Sequence, residues 1–224
     1  MRAPLSVIIP TLNAETGLPA TLDALVEGLG RGLIRELIVS DGGSTDATLA
    51  MADAAGARIA RGAPSRGGQL RRGGELATGS WLLFLHADTR LSSGWSEAIQ
   101  PALRETGAYY ARLAFDAPGF APRFVAGWAN LRSAIFGLPY GDQGLLVDCD
   151  TYHAAGGYQD IPLMEDVAFA RALPRPKRLP VTATTSAARY TSSGWIRRGG
   201  RNLSTLGLYF AGRDPHALAL RYRR

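Results

Sequence analysis

The chain predicts an α/β fold, with a mostly parallel central sheet covered on both faces by helices. Three observations carry that reading. The first 90 of the 224 residues alternate β-α-β-α-β-α-β in their hydrophobic pattern, the rhythm of parallel strands joined by right-handed crossovers. The strands among them are short continuous apolar runs, as in strands buried on both faces. No internal repeat or flexible linker divides the sequence, and 46% hydrophobic with 20% charged residues is a globular balance. A chain of this length is expected to be one elaborated domain rather than two.

Residues 5–10 form the first buried strand, which ends at Thr11-Leu12-Asn13. Leu18, Leu22, Leu25 and Leu29 then recur at helical spacing, with Pro19 tolerable in the first turn. The second strand, 33–40, breaks at Asp41-Gly42-Gly43, and Ser44 is expected to cap a helix running to about residue 55, with Asp46 in its first turn. A short third strand covers 57–60. The glycine-rich segment 66–74 leads into a helix carrying Leu70, Gly74 and Ala77 towards the sheet, where its small residues allow close approach. The fourth strand, 81–85, runs into His86-Ala87-Asp88-Thr89, so that His86 and Asp88 share one face if the strand continues that far.

Beyond Thr89 the rhythm loosens. Trp95, Ile99 and Leu103 fit an amphipathic helix, 109–115 alternates as a strand, and Phe124, Trp128, Leu131 and Ile135 mark another helix. A turn at 137–142, a strand at 144–147, a short helix at 151–155 and a break at Gly156-Gly157 follow. Met164-Glu165-Asp166 opens a helix with Val167, Ala170 and Leu173 inward, and 179–187 is a last strand. The tail holds an apolar helix (Leu203, Leu206, Phe210) and a shorter one at 216–222.

Charge and composition narrow the partners. The net charge is +6, from 25 basic and 19 acidic residues, with arginines gathered at 58–72, 171–178, 197–201 and 221–224. Such clusters suit a phosphorylated small molecule, anionic lipid or nucleic acid, and a plain solvated surface explains them equally. The lone Cys149 excludes an intrachain disulfide and is compatible with a reducing compartment. Without a secretory signal or a bilayer-length apolar run, the expectation is a soluble cytoplasmic protein, at most peripheral at the inner face of the membrane. No Gly-x-Gly-x-x-Gly follows the first strand and no Gly-x-x-x-x-Gly-Lys-Ser/Thr occurs, which disfavours a dehydrogenase or a P-loop hydrolase. There is no Cys/His cluster for zinc, and no Gly-x-Ser-x-Gly to join the three histidines, His86, His153 and His216.

The chemistry falls on acids at strand ends and at a helix opening: Asp41, Asp88 and the pair Glu165-Asp166. Each has a plainer reading, as an Asx turn, a helix cap or a helix N-terminus. Together they mean more, because a doubly wound sheet brings its strand ends to one edge. Carboxylates after the second and fourth strands can hold a nucleotide and its metal. A leaving diphosphate develops negative charge that a divalent ion and arginines neutralise, and Mg2+ or Mn2+ takes oxygen ligands, few of them from the protein. His86 is either a borderline ligand or a hydrogen-bond partner of the diphosphate or of a backbone carbonyl.

Four motifs carry a family resemblance. They are Ser6-Val7-Ile8-Ile9-Pro10-Thr11-Leu12-Asn13-Ala14-Glu15, Val39-Ser40-Asp41-Gly42-Gly43-Ser44-Thr45-Asp46, His86-Ala87-Asp88 in the place of an Asp-x-Asp, and Met164-Glu165-Asp166. With them the chain resembles the family 2 glycosyltransferases of the nucleotide-diphospho-sugar-dependent GT-A type. More narrowly, Phe84 to Thr89, Tyr140-Gly141-Asp142-Gln143-Gly144 and Pro162 to Val167 are similar to a small bacterial subgroup, the radical-SAM/selenodomain-associated glycosyltransferases.

The resemblance implies a GT-A fold, a Rossmann-like, mostly parallel sheet flanked by helices, in one domain over 1–224. That domain would hold a nucleotide-binding half (1–90), an acceptor and catalytic half (91–190) and a C-terminal helical tail (191–224). It implies an inverting hexosyltransferase-like enzyme that moves a sugar from a UDP- or GDP-sugar to an acceptor hydroxyl. Thr11, Glu15 and Asp41 would contact base and ribose, and Arg66 and Gln69 the nucleotide or its phosphates. Asp88, with His86, would ligate Mn2+ or Mg2+, and Asp166, beside Glu165, would be the general base. Trp195, Arg197 and Arg198 would close over the diphosphate; Asp142 and Gln143 would meet donor sugar or acceptor, or simply shape a turn. Replacement of the first Asp of Asp-x-Asp by His86 leaves metal dependence an open question. The acceptor is unspecified, a lipid-linked one among the options, and the tail is expected to touch a membrane, its own domain or a second subunit. The alternative is a catalytically silent nucleotide- or RNA-binding protein on the same fold, with nucleic acid disfavoured as a partner.

Overall fold

In the computed structural model, which describes residues 3–223, the expected alternation opens the chain: β1 (Leu5–Thr11), α1 (Leu18–Gly30), β2 (Ile34–Asp41), α2 (Thr48–Ala54), β3 (Arg58–Arg61), α3 (Arg66–Leu76) and β4 (Trp81–Phe84). The second half adds β5 (Thr89–Leu91), α4 (Trp95–Ala98), β6 (Ala108–Phe115), α5 (Phe120–Phe136), β7 (Leu145–Asp148), α6 (Cys149–Ala154), α7 (Glu165–Ala172) and β8 (Lys177–Thr185). The tail is helical: α8 (Ala188–Ser193), α9 (Trp195–Phe210) and α10 (Pro215–Arg223).

The strands form one sheet in the order β3-β2-β1-β4-β7-β6-β8-β5. β1 to β4 are mutually parallel. β7 runs antiparallel between β4 and β6, β8 is parallel to β6, and β5 closes the far edge antiparallel to β8. From β1 the chain crosses to β2 on one side, whereas β4 lies on the other. The connections therefore part between β1 and β4, and the carboxyl ends of these strands border the crevice where open α/β sheets bind ligands.

Both faces of the parallel half are covered, as the continuous apolar runs require. Val7 and Ile9 of β1 pack with Leu83 of β4 against Leu18 and Leu25 of α1 and Trp95 beyond. Their neighbours Ile8, Leu82 and Phe84 point the other way, towards Leu70 of α3 and the rings of Tyr152, Tyr158 and Phe169. Each such side chain, once buried, contributes roughly 1.5–3 kcal/mol. The close approach expected of α3 is borne out: a Cβ on Gly73 would strike Ile8, and one on Gly74 would strike the Tyr152 hydroxyl.

Three local expectations need correction. Ser44 does not cap a helix; α2 begins at Thr48, and the intervening turn is held by Ser44 donating to Asp41 Oδ1 (2.5 Å) and by Thr48 N–H donating to Asp46 Oδ1 (3.0 Å). β4 ends at Phe84, so His86 and Asp88 lie on a turn rather than on one strand face, and the chain leaves that turn to form β5 at the opposite edge. The helix expected over 95–103 is broken: α4 stops at Ala98, and a 3-10 turn at Ala102–Arg104 follows Pro101, whose missing N–H cannot continue the ladder.

Candidate active site

The site grows from the turns that follow β1 and β2. Asp41 is 1% exposed and its carboxylate is fully engaged. Oδ1 accepts from the hydroxyls of Thr11 (3.0 Å) and Ser44 (2.5 Å), and Oδ2 from the N–H groups of Gly43 (2.7 Å) and Ser44 (2.9 Å). Burial acts to raise its pKa, but the hydrogen bonds outweigh burial and hold it below the usual carboxylate value. Gln69 reaches across from α3, its amide donating to the carbonyls of Thr11 (2.7 Å) and Ser40 (2.9 Å). Asn13, in a left-handed conformation (φ 50°), accepts from Thr45 N–H (2.8 Å), and Glu15 accepts from Ala47 N–H (3.0 Å). Thr11, Asp41 and Gln69 thus form a locked shelf at the strand ends, with Glu15 exposed at its rim.

The turn after β4 is fixed from three sides. Thr21 donates to the Ala87 carbonyl (2.9 Å) and Ser186 N–H to the Asp88 carbonyl (3.1 Å). Gly17 presses so close that a Cβ there would lie 2.9 Å from Asp88 Cβ. The backbone is held and the half-buried Asp88 carboxylate has no hydrogen bond of its own among the described residues.

Arg66, the first residue of α3, is the centre of the cluster. Its Nε lies 3.3 Å from Glu165 Oε1 and its Nη2 2.8 Å from His86 Nε2. Burial works against the charged guanidinium, but the carboxylates of Glu165, Asp166, Asp142 and Asp88 outweigh it and raise the pKa. More than a third of the Arg66 side chain stays open to solvent while Glu165 is almost sealed. Their exposures therefore differ greatly across one ion pair, and the desolvation falls mainly on the carboxylate.

His86 is pushed well below its usual pKa by burial first and then by the guanidiniums of Arg66 and Arg189, so its ring is neutral near pH 7 and can accept from Arg66. Of the two roles expected for His86, metal ligand or hydrogen-bond partner, the contacts seen are hydrogen bonds: both ring nitrogens face Arg66 Nη2, at 2.8 and 3.2 Å. Gly141 lies against the imidazole so closely that a Cβ would collide with it.

The two adjacent acids at the start of α7 differ sharply. Met164 before them adopts φ 65°, a conformation that strains a non-glycine residue by about 1–3 kcal/mol. Glu165 is buried, and burial, with the Asp166 carboxylate adding to it and Arg66 opposing, pushes it up to about 7. Asp166 is half-buried; Oδ2 accepts from Gly141 N–H (3.0 Å) and Oδ1 from Val167 N–H (2.8 Å). Asp142 is pushed up to about 6, by burial first; Arg132 and Arg66 oppose, Asp166 and Asp88 add to it. Its Oδ1 is buried without a hydrogen-bond partner.

Gln143, expected either at donor sugar or acceptor or in shaping a turn, is completely buried. Its Oε1 accepts from Ser133 (2.6 Å) and Tyr140 N–H (3.3 Å), and its Nε2 donates to the Ala111 carbonyl (3.3 Å), so it shapes the turn. Trp195 and Arg198 are likewise drawn into the tail. Trp195 stacks on Tyr190 at 4.8 Å and meets Phe115 edge-on at 5.1 Å, while Arg198 donates to the Tyr222 hydroxyl (3.3 Å). Arg197 is exposed. Two arginines that local sequence did not single out belong to the site instead. Arg132 of α5 lies over the Tyr140 ring (3.4 Å to its centre), and Arg189 in the first turn of α8 acts on His86. Neither sits in a motif, though Arg189 follows a strand end as the site acids do.

The acids present have the hard oxygen donors that a divalent cation prefers. Arg66 pairs with Glu165 and feels the charges of Asp166, Asp142 and Asp88, and one buried oxygen of Asp142 is unfilled. No group of three or more His, Cys, Asp or Glu among the described residues is arranged to hold a metal by itself. A hard cation that takes most of its ligands from phosphate and water needs only one or two from the protein.

Comparison with known proteins bears on the family and the fold. The sequence model described as Glycosyl transferase family 2 matches residues 6–155. A PGL/p-HBAD biosynthesis glycosyltransferase of Mycobacterium bovis (strain BCG / Pasteur 1173P2) is 43% identical over 106 residues, covering 41% of this chain and 38% of that protein. A glucosyl-3-phosphoglycerate synthase of Mycobacterium tuberculosis (strain CDC 1551 / Oshkosh) is 46% identical over 55 residues, covering 25% of this chain and 17% of that protein. The chain thus spans less than two-fifths of the length of these curated relatives. Among solved structures, S. aureus TarS 1-349 superposes with a TM-score of 0.61 at 14% identity, covering 96% of this chain and 68% of that one. Glucosyl-3-phosphoglycerate synthase from Mycobacterium tuberculosis in complex with Mn2+, UDP and glucosyl-3-phosphoglycerate superposes at 0.53 with 24% identity, covering 82% and 70%. Both are likenesses of fold.

Proposed function

The chain belongs to glycosyltransferase family 2, and we propose that it transfers a sugar from a nucleotide-diphospho-sugar to an acceptor hydroxyl with inversion at the anomeric carbon. The observation that carries this reading is the gathering of Asp88, Asp142, Glu165 and Asp166 around Arg66 at the strand ends bordering the sheet crevice. TarS was solved with UDP and with UDP-GlcNAc, and the glucosyl-3-phosphoglycerate synthase with UDP and Mn2+, which supports a UDP-type donor and a divalent metal. The motifs at 84–89, 140–144 and 162–167 support the nearer subgroup resemblance.

On this reading the nucleoside lies on the shelf of Thr11 and Asp41, with Glu15 at its rim, and Gln69 holds the shelf together from behind. Asp88, with the unfilled oxygen of Asp142, would hold Mn2+ or Mg2+, which when bound neutralises charge on the departing diphosphate. Arg66 faces the same charge and is oriented by Glu165 and by the neutral His86. Burial and ion pairing commit Glu165 to that task. Asp166 is the more open of the two acids, so it is the general base: it takes the acceptor's proton as the hydroxyl oxygen attacks the anomeric carbon from the face opposite the diphosphate. Inversion follows from that opposition. A cytoplasmic location is part of the proposal; among the described residues no helix is long and apolar enough to cross a membrane.

A thermal-shift series of UDP-, GDP- and dTDP-sugars, with and without Mn2+, tests the reading. A donor at a hundred times its Kd stabilises the folded state by about 2.7 kcal/mol, and the expected result is an Mn2+-dependent rise for one nucleotide class. No response to any donor overturns it, and a metal-independent rise without turnover supports the silent binder instead.

A further inference from the structure

Helix α5 turns its apolar side outward. Phe120, Phe124, Trp128, Leu131 and Ile135 recur at the spacing of one helix face, and all five are exposed, Phe120 to 82% and Phe124 to 63%. The inward side of α5 holds the smaller Pro122, Ala126, Ala129 and Ser133 together with the buried Arg132. The stripe continues onto α9. Trp128 and Phe136 of α5 line an open apolar groove of about 200 Å³ with Leu203, Leu206 and Phe210 of α9. Single exposed apolar residues are ordinary, but a contiguous patch across two helices marks a contact surface.

The charges on these helices are basic. α5, α8 and α9 contain no acidic residue, and Arg123, Arg189 and Arg197 are exposed on them, with Arg198 and Arg201 half-buried; the exposed Asp116 and Asp214 lie just outside the ends of α5 and α9. Arg171 lies 5.3 Å from the Phe210 ring, and Arg175 donates to the carbonyls of Ala134 and Ile135 (2.6 and 2.9 Å) at the end of α5. A second copy of the chain laid symmetrically on the same face would set arginines against arginines, which disfavours the contact. An anionic bilayer interface matches both features. Apolar side chains enter the acyl boundary, and guanidiniums with their apolar stems lie among the phosphates.

We propose that the α5–α9 face docks the protein on an anionic phospholipid surface, lying in the interface plane. The docked face borders the catalytic edge. Arg132 of α5 stacks on Tyr140, and the next residue, Gly141, donates its N–H to Asp166. An acceptor carried by the membrane would then meet the base from the docked side, an extension that rests on the function proposed above.

Cosedimentation of the full chain with phosphatidylglycerol/phosphatidylcholine vesicles, against phosphatidylcholine alone, tests the docking. Binding is expected to the mixed vesicles only and to weaken as salt rises. The double variant Phe120→Ser/Phe124→Ser should lose about tenfold or more in vesicle affinity, and Arg123→Glu should lose affinity for the anionic vesicles specifically. These side chains are exposed, so cooperative unfolding and any donor-induced thermal shift should survive in both variants. That separates failure of docking from failure of the transfer reading. A folded protein that ignores anionic vesicles overturns the proposal. Equal vesicle binding by wild type and the double variant also overturns it, as does a solution dimer that the same variant dissociates.

Discussion

Replacing Glu165 with Gln should stabilise the fold progressively as pH rises. The side chain is 2% exposed, and burial, aided by Asp166 and opposed by Arg66, pushes it from 4.5 up to about 7. Between those values the folded chain holds a proton that the unfolded chain has released. The group's stabilising contribution is therefore complete below 4.5 and is lost as pH rises through 7. At about 1.4 kcal/mol per pH unit, the gap between 4.5 and about 7 amounts to about 3 kcal/mol. The 3.3 Å pair with Arg66 is already included in that balance, and Arg66 keeps the carboxylates of Asp166, Asp142 and Asp88 when Glu165 is neutralised. Two other groups titrate in the same range. Asp142, pushed up to about 6, acts in the same direction as Glu165, whereas His86, held well below 6.5, makes the folded state lose stability as pH falls. The diagnostic quantity is therefore the difference between variant and wild type. Urea unfolding of both proteins with a chelator, at about pH 5 and about pH 8, should show the variant's advantage growing by about 2–3 kcal/mol between them. A difference that stays flat or shrinks with pH would refute the assignment of a raised, proton-holding carboxyl to Glu165.

Asp166→Asn should keep the donor-induced thermal shift and lower turnover by about a hundred- to ten-thousand-fold, the usual contribution of a positioned base; wild-type turnover would rule Asp166 out. Asp88→Ala should abolish the Mn2+-dependent part of that shift while leaving unfolding nearly unchanged, because its turn is held through the backbone carbonyls of Ala87 and Asp88; an undiminished Mn2+ effect would remove Asp88 as a ligand. Two glycine substitutions should move stability in opposite directions. Gly67→Ala drives a Cβ into the Gln159 carbonyl and within 2.8 Å of the Ile161 carbonyl, and should destabilise by about 1–3 kcal/mol by overpacking. Gly207→Ala meets nothing within 4 Å and should stabilise α9 by up to about 1 kcal/mol; unfolding curves that rank the pair the other way would contradict the packing of α3.

The parts legible in the sequence are those that local pattern encodes. Strands buried on both faces leave runs such as Val7-Ile8-Ile9 and Leu82-Leu83-Phe84, and α3 advertised its close packing through four glycines in nine residues, 66–74. The placement of Asp41, Asp88 and Asp166 was legible because strand ends and helix openings converge on one edge in this topology. The misses are long-range. β5 is only three residues, too short to carry a period, and exists because β8 offers it an edge. Gln143 could be read from the 140–144 motif either as a site residue or as part of a turn; its partners Ser133 and Ala111, on other elements, are what bury it. Apolar periodicity located α5 but could not tell that Phe124, Trp128 and Ile135 face outward, since the period of a helix says nothing about what covers it.

His86 gains its meaning only from the assembled cluster. One central guanidinium already faces four carboxylates, and two of these, Glu165 and Asp142, are pushed to about 7 and about 6. An acid in place of His86 would set a fifth negative charge beside Arg66 and push those carboxyls further towards protonation. A neutral imidazole avoids this. It accepts from Arg66 at 2.8 Å and fits beneath Gly141, whose missing side chain leaves room for the ring. On the proposed function, the departure from Asp-x-Asp would give this position to the orientation of an arginine and leave the acidic role in that motif to Asp88, with Asp142 brought in from the turn before β7.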